Sequence, residues 1–342
     1  MRAVLQYAFG PAQTLCYEQV DDPSPGPGQV RIAVRAAGVH PLDIAIRNGG
    51  ADLRVPVPDV PMIPGREVAG VVDAVGDGVD AGWLGRRVVT NLGLASGGYA
   101  ELTVREVGAV HVLPDGLAED VAVAMVGTGR TAMGILDTAQ LVDEDVVLVT
   151  AAAGGVGNLL VQAVRDAGAS VIGLAGGPAK VECVRRLLAP SWVGSSRHCR
   201  ENGCAIGAVD YSAPDWTSAV REALNGREVT VAFDGVGGRL GRSVLGLLGA
   251  GGRLIMYGWF AEGPTELSAS DLYARGLTAS AVMGPRIPRQ PGGLRNQEAQ
   301  SLRAAATGRL VPLIQRFPLD DVVAAHIALE SRATVGKVVL IP

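Results

Sequence analysis

The sequence contains no run of lysine and arginine, no apolar stretch long enough to cross a bilayer, no internal repeat, and no cysteine spacing that marks a disulfide framework or a zinc ribbon. Without a basic run, and with a formal net charge of -4, the chain has no electrostatic footprint for nucleic acid, and a small neutral or anionic partner is expected instead. Arg253 interrupts the longest glycine-rich apolar region, so no membrane span is expected. The start, MRAVLQYAFG, reads as a strand running into a turn, and its apolar core is too short for a secretory signal. Cys16, Cys183, Cys199 and Cys204 are scattered, which suits a reducing compartment and points to the cytoplasm. What is present is a chain of 342 residues, 48% hydrophobic and 19% charged, long enough for two domains that each bury a core.

Within it, seven residues carry most of the information. Ala151 to Gly157 (AAAGGVG) lie between an apolar run, Asp145 to Thr150, and a helix-like stretch, Asn158 to Ala167. Strand, tight turn and helix in that order let the backbone approach a pyrophosphate at Gly154 and Gly157, with the unpaired N–H groups of the helix end facing it. Ala153, Gly154, Gly155, Val156 and Gly157 are therefore candidate dinucleotide contacts, although Ala152 stands where GxGxxG has its first glycine. Residues 1 to about 120 are rich in short β-like runs separated by Pro/Gly turns such as Pro23 to Gly28, the texture of a compact β domain. From about 121 strands alternate with amphipathic stretches, with strands expected at 145–150, 170–174, 229–233 and 252–257, the pattern of a doubly wound parallel sheet. A helix over Leu319 to Glu330 and a closing strand, Gly336 to Ile341, return the chain to its first domain.

Five further segments give the chain a family resemblance. Gly28-Gln-Val, Gly38-Val-His-Pro-Leu-Asp43, Pro61 to Gly70 (PMIPGREVAG), Gly97-Gly-Tyr-Ala-Glu101 and Ser331 to Lys337 (SRATVGK) occur in order around the dinucleotide turn. In this the chain resembles the medium-chain dehydrogenase/reductase superfamily and, within it, the zinc-free quinone oxidoreductase (zeta-crystallin-like) branch. The resemblance implies an α/β protein with a GroES-like β-barrel domain, residues 1–122 and 286–342, and a Rossmann doubly wound parallel-sheet domain, residues 123–285. It also implies an active site in the cleft between them and a homodimer formed by extending the Rossmann sheet. The stretch Leu188 to Ala208 departs from the family, which passes there from helix to strand in a few residues; it is expected to project as a loop from the adenosine side.

The cofactor expectation is NADPH. NAD-preferring sites carry an acidic residue at the end of the second Rossmann strand, whereas Val171 to Lys180 holds small residues and then a cation. The resemblance matches Gly176, Lys180 and Tyr211 to the glycine, lysine and tyrosine that bind the 2′-phosphate. By position, Gly235 and Val236 follow one strand and Tyr257 and Gly258 end the next, at the edge where a dinucleotide binds. Thr131 matches a family threonine near the nicotinamide.

Zinc is not expected. The zinc alcohol dehydrogenases of this superfamily place a cysteine at the position of His40 and a histidine at that of Arg66. A guanidinium keeps its proton and cannot coordinate, and no Cys or His lies between His111 and Cys183 to serve as a third ligand. His198, Cys199 and Cys204 are close in sequence but lack an apparent fourth partner. Without a Lewis acid to drive alcohol oxidation, reduction of an already polarised acceptor is left. The first reading is an NADPH-dependent, zinc-independent reductase of quinones. The second is a reductase of activated C=C bonds, an enone or enoyl reductase, and a third is an NADPH-binding protein without turnover. His40 replaces the usual asparagine of the family, and either donates a hydrogen bond or proton to the acceptor or braces a loop. Ile44, Ala45 and Ile46 follow Asp43 where many relatives carry a tyrosine, which makes the acceptor pocket more aliphatic. Asp43 reads as a brace and Arg47 as exposed or structural; Arg66 has three options, pairing with Glu67, pairing with Asp43, or facing the acceptor.

Overall fold

The computed structural model describes residues 1–50, 57–93, 97–189, 192, 205–259, 263–282 and 293–342. They form two compact units: residues 1–128 with 301–306 and 312–342, and residues 129–300 with 307–311. The first break falls after Thr128 rather than after 122, because the helix over Glu119–Ala124 packs on the strands of the first unit.

In chain order the strands are β1 (Arg2–Gln6), β2 (Leu15–Gln19), β3 (Gln29–Val39), β4 (Glu67–Val75), β5 (Arg87–Asn91), β6 (Leu102–Glu106) and β7 (His111–Val112). They continue with β8 (Val146–Val149), β9 (Ser170–Ala175), β10 (Ala205–Asp210), β11 (Val229–Asp234), β12 (Leu248–Met256), β13 (Thr278–Ala281), β14 (Ile314–Pro318) and β15 (Lys337–Ile341). The helices that matter most for the site are α1 (Pro41–Arg47), α2 (Glu119–Ala124), α3 (Arg130–Ala139), α4 (Gly155–Asp166) and α5 (Pro178–Leu188).

The second unit is a six-stranded sheet in the order β10-β9-β8-β11-β12-β13, with every pair parallel. In that order the chain runs outward in one direction from β8 through β9 and then in the other from β11, so the carboxyl ends of β8, β9 and β11 border the crevice where doubly wound sheets bind ligands. All four residues of β8 are buried, as a strand covered by helices on both faces requires. Val146, Leu148, Ile172, Leu174, Ala232 and Leu254 form the centre of its core.

The helix after β8 starts earlier than the sequence suggested, at Gly155 rather than Asn158. Ala151 adopts φ +46°, which reverses the chain directly after the strand, and Gly154 N donates to Ala151 O at 2.8 Å to close the turn. Gly154 is then the cap, and Gly155, Val156 and Gly157 form the first helical turn.

The first unit is built on the eleven-residue β3. One edge of β3 pairs with β4; the other is divided between β6, along Gln29–Ala33, and β15, along Ala37–Val39. Sharing one long strand among three partners curls the sheet around a core that includes Val30, Ile32, Val34, Val68, Val72, Tyr99 and Leu340. The closing strand β15 does return to this unit, between β14 and β3. The helix expected over 319–330 begins with a 3-10 turn, Leu319–Asp321, before the α-helix Val322–Glu330.

Register places the polar residues of this unit. In the order β15-β3-β4, Gly38 pairs with Val339 on one side, and its neighbour Ala37 pairs with Val68 on the other. Glu67 and Lys337, at the ends of the flanking strands, therefore meet over Gly38, which has no side chain to separate them. A Cβ on Gly38 would lie 2.6 Å from Glu67 Oε2 and 3.0 Å from Lys337 Cε.

Candidate functional site

In the second unit the first-turn N–H groups of Gly155, Val156 and Gly157 stand at the amino end of α4, where no preceding helical carbonyl exists to accept from them. The Asn158 amide braces the cap by donating to the carbonyls of Gly154 and Gly155, both at 2.7 Å. Gly157 lies so close to Ala151 that a Cβ there would overlap the Ala151 carbonyl oxygen. Ala152, in place of the first fingerprint glycine, is fully buried. Across from it Gly173 leaves space, since a Cβ at 173 would lie 3.1 Å from that of Ala152. The missing glycine is thus compensated by one on the neighbouring strand.

Two strands along, Ala175 pairs with Asp210, so the residues that follow them, Gly176 and Tyr211, lie side by side. A Cβ on Gly176 would be 3.1 Å from the Tyr211 ring and hydroxyl. Helix α5 starts immediately beyond, with Lys180 half-buried in its first turn. Asp210 is the carboxylate at this edge, and its Oδ1 accepts from Gly177 N at 2.9 Å and Ser212 N at 2.8 Å. Those N–H groups, Gly177 first, hold its carboxyl below the usual range. The edge therefore presents a glycine, a tyrosine and a lysine, with one oxygen of its acid, Oδ1, taken by backbone N–H groups.

At the carboxyl ends of β8, β11 and β12, Thr150, Asp234, Thr265 and Tyr257 form a cluster that sequence reasoning grasped only in part. Thr150 Oγ1 donates to Asp234 Oδ1 at 3.3 Å and accepts from Gly235 N at 2.9 Å. Asp234 Oδ1 also accepts from Val236 N at 3.0 Å, and Thr265 Oγ1 donates to Oδ2 at 2.5 Å. Tyr257 lies over Gly235, where any Cβ would overlap its ring, and donates from its hydroxyl to Thr150 O at 3.3 Å. Burial, reinforced by Asp234, raises the pKa of that phenol, so it stays a neutral donor. Gly258 follows at the strand end, and Thr131 is half-buried in the first turn of α3.

The first unit contains a second polar constellation. Glu67, at 0% exposure, has His40 Nε2 at 2.7 Å and Lys337 Nζ at 2.9 Å from the same oxygen, Oε2. Burial alone would push its carboxyl pKa up, but His40 and Lys337 together outweigh burial and hold it well below the usual range. Burial draws the pKa of the Lys337 ammonium down, against the pull of Glu67. The other carboxylate oxygen, Oε1, lies against Gly127 in the π-helical turn Met125–Gly129, where a Cβ would overlap it. An ionised Glu67 requires a proton on His40 Nε2, which leaves Nδ1 as the ring nitrogen not engaged by Glu67. His40 is thus fixed by a carboxylate rather than by a backbone carbonyl.

Asp43 joins this group from α1. Its Oδ2 accepts from His40 N at 2.7 Å and from the Tyr99 hydroxyl at 3.2 Å, and its Oδ1 accepts from Arg66 Nε at 3.2 Å. Arg66 therefore pairs with Asp43 and not with Glu67. Arg47, read from sequence as exposed or structural, is buried: its guanidinium contacts His326 Nδ1 at 3.2 Å and Glu330 Oε1 at 2.5 Å.

Proton positions follow from donor counting. Arginine only donates, so His326 Nδ1 accepts and Nε2 carries the hydrogen, which points at the Tyr99 hydroxyl 3.3 Å away; Tyr99 then donates to Asp43. A second ring proton would face Arg47. Burial chiefly, with Asp43 opposing and Arg47 reinforcing, lowers the His326 pKa to about 4. In the unfolded chain the ordinary value near 6.5 applies. Between those values the unfolded state binds a proton that the folded state does not, so stability is full above about pH 6.5 and falls as the pH drops toward 4. Urea unfolding is expected to show a loss of about 2 kcal/mol from this group between pH 7 and pH 5. The His326→Gln protein, which can keep both hydrogen bonds, should show a flatter profile; an unchanged slope would assign the loss to other groups.

Among the described residues no three His, Cys, Asp or Glu side chains are grouped to hold a metal ion. His198, Cys199 and Cys204 lie outside the described residues, as does most of the 188–208 stretch. Sequence reasoning passed over Glu67 and Lys337 as a pair. A signal existed, since the chain has two lysines in all, Lys180 and Lys337, and the second opens an otherwise apolar strand.

The six-strand parallel sheet and the curled β unit together are the architecture of the medium-chain dehydrogenases/reductases. Residues 26–115 match the family model described as the alcohol dehydrogenase GroES-like domain, and residues 205–340 match that of the zinc-binding dehydrogenases. A 2-haloacrylate reductase from a Burkholderia species is 32% identical over 354 residues, spanning 100% of this chain and 99% of that protein. The quinone oxidoreductase of Pseudomonas aeruginosa is 31% identical, over 98% of each chain. A mycobacterial protein solved as its NADPH complex superimposes with a TM-score of 0.81 at 28% identity, covering 100% of both chains. The Escherichia coli quinone oxidoreductase, also solved with NADPH, reaches a TM-score of 0.84 at 24% identity, covering 100% of both chains. The chain belongs to the quinone oxidoreductase branch of the medium-chain dehydrogenase/reductase superfamily, and is an oxidoreductase.

Proposed function

We propose that this protein is an NADPH-dependent, zinc-independent reductase that acts on a quinone. The observation that carries the cofactor assignment is the edge at which Gly176 and Tyr211 touch beside the first turn of α5, with no carboxylate at the end of β9 and with Asp210, one strand further out, turned through Oδ1 onto the N–H groups of Gly177 and Ser212. A free carboxylate there would favour ribose hydroxyls and repel a 2′-phosphate; a lysine and a phenol do the reverse. The NADPH complex of the mycobacterial relative supports the same cofactor. Ala153, Gly154, Gly155, Val156 and Gly157 would hold the pyrophosphate, and Gly176, Lys180 and Tyr211 the 2′-phosphate. Gly235, Val236, Tyr257, Gly258 and Thr131 would border the nicotinamide half. When bound, NADPH supplies the hydride. The protein's own part is to orient the acceptor and to meet charge developing on its oxygen, for which the first unit offers His40 and Arg66. Zinc independence rests on donor chemistry, because Arg66 has no lone pair to give.

Lys180→Ala is expected to weaken NADPH binding about 10- to 100-fold, a loss of roughly 1.4–2.7 kcal/mol, and to change NADH binding less than about threefold. Equal losses for both nucleotides would refute the assignment. A readout independent of turnover is available because Lys337 is only 4% exposed: amine acetylation followed by mass spectrometry should label Lys180, and NADPH but not NADH should protect it.

A second reading, reduction of activated C=C bonds, is favoured by the partly open guanidinium of Arg66 and by the 2-haloacrylate reductase among the relatives. We also propose a cytoplasmic homodimer. No described strand pairs with the outer edge of β13, which leaves that edge able to continue the sheet into a second copy; sedimentation at the mass of one protomer would exclude this. No helix among the described residues is long and apolar enough to cross a membrane.

A further inference from the structure

Most of the first-unit constellation is consumed internally. Glu67 is paired with His40 and Lys337, Asp43 with Arg66, Tyr99 and the His40 amide, and His326 with Arg47 and Tyr99. Two side chains reach its outer face, His40 at 21% exposure and Arg66 at 16%. Arg66 uses a single nitrogen: Nε donates to Asp43 Oδ1, and Nη1 and Nη2 have no partner among the described residues. Asp43 is itself anchored by Tyr99 and by the α1 cap, so it fixes the guanidinium from its Nε side. What remains is the Nη1–Nη2 edge, two parallel donors on a side chain that is otherwise mostly buried.

Such a fork matches the two oxygens of one carboxylate. A quinone oxygen is neutral and needs one donor, and would leave the second N–H unsatisfied. We propose that Arg66 selects the acceptor class, and that this class is the α,β-unsaturated carboxylates, bound through their carboxylate on the Nη1–Nη2 edge. This inference rests on the C=C reading above and competes with the quinone reading, which it displaces if the test below succeeds. Sites built around a polar group reject analogues that lack its partner, because the protein's own donors are then stranded. Discrimination between an acid and its neutral isostere is therefore the signature of the assignment. Lysine in place of Arg66 keeps the charge beside Asp43 but not the fork, and so separates recognition from folding.

The test has two arms. In the first, propionate and propionamide are titrated by calorimetry into the full-length protein saturated with NADP⁺, so that no turnover is involved. Propionate should bind at least about tenfold more tightly; Arg66→Gln should abolish that preference and Arg66→Lys should retain part of it. Equal binding of the two probes, or a preference that survives in Arg66→Gln, overturns the proposal. In the second arm, NADPH oxidation is followed with 2-chloroacrylate and with its methyl ester. Arg66→Gln should lower kcat/KM for the acid about 100-fold, mostly through KM, and at least about tenfold more than for the ester. If Arg66→Gln does not fold, Arg66→Lys should still lower the acid about tenfold, and by clearly more than the ester. Parallel losses for acid and ester overturn the proposal. No oxidation with any acceptor, alongside the expected propionate preference, would remove the reductase reading while supporting the carboxylate assignment.

Discussion

Replacing Lys337 with methionine is expected to destabilise the protein by about 3–5 kcal/mol, a large part of the stability of an ordinary domain. Glu67 is fully buried, and His40 and Lys337 share one of its oxygens, Oε2. Removing the ammonium leaves a carboxylate in a low-dielectric setting with only His40 to compensate it, and an uncompensated buried charge costs far more than the intact pair contributes. The reverse change, Glu67→Gln, strands Lys337. Burial already draws the pKa of that ammonium down, so it can shed its proton and limit the damage. Lys337→Met is accordingly the more harmful single change, and the double variant Glu67→Gln/Lys337→Met should be at least about 2 kcal/mol better than the sum of the two singles. Urea unfolding of the four proteins at pH 7 measures the cycle. A Lys337→Met protein within about 1 kcal/mol of the parent would show that the contact contributes as little as a surface pair.

Gly157→Ala should act on the other unit and reduce NADPH binding by at least about 100-fold, roughly 2.7 kcal/mol. A Cβ there would overlap backbone, the Ala151 carbonyl oxygen, and would lie 2.9 Å from Ala152 Cα, and backbone cannot rotate away as a side-chain tip can. The first turn of α4 must then shift from the turn that follows β8, and its N–H groups lose their aim. Gly154→Ala is the matched control: at φ -79° alanine is unstrained, and its Cβ would lie 3.1 Å from Ala151 O, a contact that a few tenths of an ångström relieves. About a tenfold loss or less is expected there. Equilibrium fluorescence titration with NADPH ranks the two, and a larger loss at 154 than at 157 would contradict the packing described for the turn.

The helix start shows how far local signals reach. Glycine spacing located the turn after β8, because absent side chains and a bordering apolar run are written into adjacent residues. The start of the helix depended on Ala151 taking a left-handed conformation, which residues other than glycine, asparagine and aspartate seldom adopt, and no neighbouring residue announces it. Arg66 makes the same point for side chains. Glu67 is its neighbour in sequence, yet Asp43 is its partner, since Glu67 is drawn inward over Gly38 by the register of β3 with β4 and β15.

By itself the sequence determined the two-domain α/β plan and the succession of strands and helices around the dinucleotide turn, because apolar periodicity and glycine placement are properties of contiguous residues. Only the tertiary structure decided which polar side chains meet: Lys337 with Glu67, Arg47 with His326 across 279 positions, and Asp43 with Arg66, one edge of which is left open. Those choices are made by strand register and by the spaces that Gly38 and Gly127 leave, and distance through space, on which electrostatics depends, is not encoded in spacing along the chain.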